Sequence, residues 1–66
     1  MEIGDLNANG QKLVRRTNSS STTHAFATIW VMCCRDCGEE YGCNSCDAHI
    51  RRCPFCDNTA AHGEPI

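Results

Sequence analysis

Cys34-Arg35-Asp36-Cys37 and Cys53-Pro54-Phe55-Cys56, separated by the fifteen residues 38–52, decide how this chain folds. Two residues between paired cysteines let one tight turn aim both sulfurs at a common ion about 2.3 Å away, with backbone N–H groups left to hydrogen-bond them. The overall spacing, C-x2-C-x15-C-x2-C, is that of a zinc site. Four thiolates complete a tetrahedron and leave no position for water, which describes a structural ion and not a catalytic one. Gly38 offers the left-handed conformation that a chain often needs after such a turn. Pro54 fixes φ inside the second turn and gives up a donor there.

Outward from these pairs, the 66 residues suffice for one domain. An apolar core of that size supplies only about 3–5 kcal/mol, so a cross-link is expected. Seven cysteines provide the means, and the compartment decides between disulfides and metal. Residues 1–6 have no basic or apolar signal-like segment. No apolar run approaches the roughly 18–20 residues of a membrane span. A cytoplasmic, reducing location is therefore expected, where disulfides are rare. An odd cysteine count also fits metal better. The formal charge of −2 falls to about −4 once four thiolates bind one divalent ion, which argues against a whole-surface attraction to nucleic acid.

Three regions follow. Residues 1–23 read as a polar arm and linker. Within them residues 1–9 are taken as mobile, Asn9-Gly10 as a turn, 11–17 as a short strand too polar to hold itself in place, and 18–23 as a Ser/Thr loop. Residues 24–58 read as the metal-bearing unit. Its strand over 24–33 is rich in β-branched and aromatic residues, a second short strand lies at 39–41, and 42–47 form a loop. Residues 59–66 read as a flexible tail. The predicted fold is a small metal-stabilised β structure, two knuckles on short antiparallel hairpins with little or no helix.

Cys43-x2-Cys46-x2-His49 places three further donors between the pairs. They can serve a second ion or replace one of the four ligands, so one Zn2+ is expected and two is the alternative. Cys33 is assigned to packing or a free thiol, because Cys33 to Cys37 makes a poorer turn. His24 and His62 are taken as exposed. Enzymatic activity is not expected: His62-Gly63-Glu64 has the wrong order for a zinc deaminase, and a redox C-x-x-C would need a βαβ context.

With Cys34-x2-Cys37-Gly38 and Arg51-Arg52-Cys53-Pro54-Phe55-Cys56 in view, the chain resembles the zinc ribbon class. The resemblance implies two knuckles clasping one zinc. The second half is also similar to the small zinc-ribbon subunits of archaeal and eukaryotic RNA polymerases, which continue with a basic, aliphatic strand where this chain has residues 58–66. The order Arg15-Arg16-Thr17, Trp30-Val31, Cys37-Gly38, Tyr41-Gly42, Arg51-Arg52-Cys53-Pro54 looks like that of short uncharacterised bacterial zinc-ribbon proteins.

Two functions are carried forward. In the first, Lys12, Arg15, Arg16, Arg51 and Arg52, with Arg35, contact the phosphates of DNA or RNA, while Trp30, Tyr41 or Phe55 stacks on a base. In the second, the ion only holds a surface for a protein partner or larger complex. Trp30 and Phe26 cannot both be buried in so small a domain, and the polar arm orders on that partner. Neither reading involves a membrane or a small-molecule substrate.

Overall fold

The computed structural model describes residues 1–21, 26–56 and 63. Three strands form one antiparallel sheet in the order β1-β2-β3: β1 is Gln11–Ser20, β2 Thr28–Cys34 and β3 Glu40–Asn44. The described helical structure is a single 3-10 turn, Ala48–Ile50. This small antiparallel β architecture, with four cysteines clustered within 4.8 Å, is consistent with a metal-stabilised β zinc ribbon.

Alternation along β2 sets the faces. Trp30, Met32 and Cys34 point one way, Ile29, Val31 and Cys33 the other. Met32 lies between Leu13 on β1 and Tyr41 on β3, and Trp30 is opposite Cys43. Leu13, Met32, Tyr41, Cys43 and Ala48 form the buried cluster, with Met1 and Trp30 packed against it.

Several expectations are corrected here. Residues 11–20 are not part of an arm outside the ribbon; they are an integral strand, paired with β2 from Gln11↔Cys34 to Ser20↔Thr28 through two irregularities. Lys12, Arg15 and Arg16 are exposed while Leu13 and Gln11 are buried, so the backbone ladder and these two inward side chains hold the strand. Residues 1–9 are tied down as well. Gly4 N–H donates to Leu13 O at 2.8 Å, Leu13 N–H to Asp5 O at 3.0 Å and Asn7 N–H to Gln11 O at 2.9 Å. The chain reverses at Gly10, φ +76°, as the Asn-Gly signal requires.

β3 runs past Tyr41 to Asn44 where a loop was expected from residue 42. Tyr41 and Cys43 both reach the core, and Gly42 between them lies opposite Val31. Gly63 passes so close that a Cβ on it would stand 3.2 Å from the Gly42 carbonyl oxygen. The close approach is a constraint on Gly63, while Gly42 continues the strand without a break. β2 begins at Thr28, later than expected; Phe26 is fully exposed and Trp30 half-buried. The expected linker at 22–23 and tail at 59–62 and 64–66 lie outside the described residues, as do His24 and His62.

Candidate metal centre

The first cysteine pair sits on the β2–β3 hairpin. Cys33 pairs with Glu40, the last rung before the turn. Cys34 N–H donates to Glu39 O at 3.0 Å, and Gly38 N–H donates back to Cys34 O at 2.8 Å. Gly38 closes this turn at φ +75°, in the left-handed region that a side chain would strain. The second pair follows the 3-10 turn through Arg51, whose backbone is extended. Phe55 N–H and Cys56 N–H both point at Cys53 Sγ, at 3.4 and 3.3 Å. These are the amide-to-sulfur bonds that the two-residue spacing leaves available.

All four sulfurs, of Cys34, Cys37, Cys53 and Cys56, lie within 4.8 Å of one another. Cys34 Sγ is 3.8 Å from Cys56 Sγ, and Cys37 Sγ is 3.6 Å from Cys53 Sγ. A tetrahedron with metal–sulfur bonds of about 2.3 Å has edges of about 3.8 Å. Disulfide sulfurs would lie about 2.05 Å apart, and all seven cysteines are free thiols. The cluster can therefore hold one metal ion, and the all-thiolate donor set fits it. Cys34 and Cys53 are buried, Cys37 and Cys56 exposed.

Electrostatics divides the four further. The backbone N–H of Cys37 chiefly, with the Gln11 amide and the Asp36 N–H, outweighs burial and lowers the Cys34 thiol from 9.0 to about 6. Cys56 moves the opposite way, above the ordinary thiol range, because the sulfurs of Cys37, Cys53 and Cys34 crowd it. A divalent cation bound by the four sulfurs would remove that conflict by neutralising the shared charge.

Gln11 is buried and donates through Nε2 to Cys34 Sγ at 3.5 Å. Its Oε1 accepts from Tyr41 OH at 2.7 Å. Nothing in the sequence marks Gln11 for this place, because only the β1–β2 register brings it opposite Cys34. Asn7 was likewise unmarked, and Asn9 was marked only as part of the Asn9-Gly10 turn. Asn7 Oδ1 accepts from the N–H groups of Asn9 and Gln11. Its Nδ2 reaches Ala48 O at 2.9 Å, and Asn9 Nδ2 reaches Ile50 O at 3.1 Å.

The alternative ligands are not drawn into the cluster. Cys43 is a core residue whose thiol burial pushes up to about 11. Cys46 is exposed, 3.8 Å from Asp47 Oδ1, and His49 is exposed. Cys33 is half-buried against the Gly38 carbonyl. Among the described residues, no second group of three or more donors forms.

The residues expected to contact nucleic acid are dispersed. Tyr41 is 4% exposed, its ring under the Arg51 guanidinium at 5.5 Å, so it presents no stacking face. Trp30 is half-buried and covered by Arg16 at 4.9 Å. Arg16 also reaches Met1 O and Glu2. Lys12 and Arg15 lie opposite Cys33 and Val31 on the other face of the sheet, and Arg52 stands beside the cysteine cluster. No helix among the described residues is long and apolar enough to cross a membrane. No family model, curated protein or solved structure matches the chain.

Proposed function

We propose that the chain is a zinc-binding ribbon module in which one Zn2+ on Cys34, Cys37, Cys53 and Cys56 is purely structural, and that the module serves a protein partner or larger complex. The observation that carries the metal assignment is the sulfur cluster, whose 3.6 and 3.8 Å edges suit a closed tetrahedron. Soft tetrahedral S4 sites take zinc or iron. Native mass spectrometry with and without chelator separates these outcomes. One colourless ion of zinc mass per chain is expected; a red iron protein would replace zinc in this reading, and a metal-free folded chain would end it.

The partner assignment draws on what the surface offers. Ile3, Leu6, Ile50 and Phe55 are all about half exposed or more, whereas the aromatic residues Trp30 and Tyr41 are taken up internally. Apolar side chains left on so small a scaffold favour a protein contact. Repeated recovery of the protein alone, as a monomer, from native lysate would count against it. A nucleic-acid role keeps one specific support: Lys12, Arg15 and Arg52 and the ring of Phe55 are all exposed. Oligonucleotide binding that is undetectable even at low salt removes that role.

A further inference from the structure

We infer that Gln11 is a positioning residue of the metal centre, donating an N–H bond to the Cys34 thiolate from a strand that contributes no ligand. The inference rests on the reading of the cysteine cluster as a metal site. A buried primary amide is costly unless its groups are paired, and those of Gln11 are. Nε2 meets Asn9 O at 3.2 Å and Cys34 Sγ at 3.5 Å, and Oε1 meets Tyr41 OH at 2.7 Å. Which end of the amide faces the sulfur follows from these neighbours. The Asn9 carbonyl is an acceptor only, so the NH2 end must face it, and that same nitrogen faces Cys34. Reversal would set Oε1 against both a carbonyl and a thiolate.

The position is also fixed from the backbone, since Gln11 and Cys34 are direct partners in the β1–β2 ladder. Tyr41 in turn lies under Arg51, one residue from Arg52 and two from the second knuckle. The chain Arg51, Tyr41, Gln11, Cys34 thus runs from the lead-in of one knuckle to a sulfur of the other. Outer partners of this kind orient a ligand and offset its charge, and losing one typically costs about 10–100-fold in metal affinity.

The test uses the full chain loaded with Co(II), whose thiolate charge-transfer band reports the electron density on sulfur, followed by competition with zinc. Wild type should take up one ion per chain. Gln11→Met keeps the volume and removes the donor; it should bind the same number of ions about 10–100-fold more weakly, with the band at lower energy. Leu13→Ala, in the same strand but away from the sulfurs, separates a merely structural effect, since it should weaken apparent affinity without moving the band. If Gln11→Met does not take up metal, Tyr41→Phe decides, because it leaves Gln11 in place and frees its Oε1; a smaller shift in the same direction is expected. A wild-type band in Gln11→Met, or in Tyr41→Phe where that variant decides, overturns the role of Gln11. Wild type that binds no metal overturns the metal-site reading itself.

Discussion

Asn7 Nδ2 donates to the backbone carbonyl oxygen of Arg51 at 3.0 Å, joining positions 44 residues apart. The same nitrogen holds Ala48 O, and the same side chain's Oδ1 organises the turn into β1. One asparagine therefore fastens the lead-in of the second knuckle to the strand that flanks the first. Asn7→Ala should lower the stability of the metal-loaded protein by about 1–3 kcal/mol, since it removes the donor from the part-buried Ala48 carbonyl and leaves the Arg51 carbonyl only the longer bond from Asn9 Nδ2 at 3.4 Å. Thermal denaturation of the loaded form measures this, and an unchanged midpoint would show that the clamp is not needed.

Ligand assignment is tested by counting metal. Cys34→Ser, Cys37→Ser, Cys53→Ser and Cys56→Ser should each abolish stoichiometric binding. Cys43→Ala, Cys46→Ser, His49→Ala and Cys33→Ser should each retain one ion per chain. Chelation of wild type should unfold it, because binding a structural zinc contributes about 10–16 kcal/mol to folds of this kind. Circular dichroism before and after chelator reads the outcome, and a fold that persists without metal would refute the account.

Acid should strip the metal. The folded-state value of Cys34, about 6, lies below its ordinary 9.0, so the thiolate form favours the folded state. That contribution is complete above about pH 9 and is lost as pH falls through about 6. Metal competes with protons and carries the loaded protein lower still. Release followed with a chromophoric indicator should be absent at pH 8, grow as acid protonates the ligand thiols and coincide with unfolding. Release already at pH 8 would contradict this.

Leu13 is the one fully buried side chain that β1 places against Met32. Leu13→Ala should cost about 2–5 kcal/mol. A cost below 0.5 kcal/mol, roughly the level of a surface substitution, would mean that β1 is dispensable to the core.

The four-cysteine cluster was legible in the sequence because C-x2-C is a local signal: spacing alone fixes where two sulfurs can point. The fold class followed from it. Membership of β1 was not legible, since a strand with Lys12, Arg15 and Arg16 outside and Leu13 inside is held by backbone bonds from Gly4, Asp5 and β2, and such bonds leave no mark on composition. Tyr41 was misplaced for a related reason. Which face a strand residue takes depends on register to the unit, and the register here is set by the turn through Cys37 and Gly38, which puts Tyr41 opposite Met32. Gln11 was invisible because its partner is twenty-three positions away.

The unequal exposure of the four sulfurs gives the centre a direction. Cys34 and Cys53 are sealed by Gln11, the sheet and the knuckle amides, while Cys37 and Cys56 face water. Among the described residues the open edge is the one that Cys37 and Cys56 line. Were an ion seated there, an incoming thiol, chelator or oxidant would meet those two sulfurs first, and the sealed pair would be the last to let go.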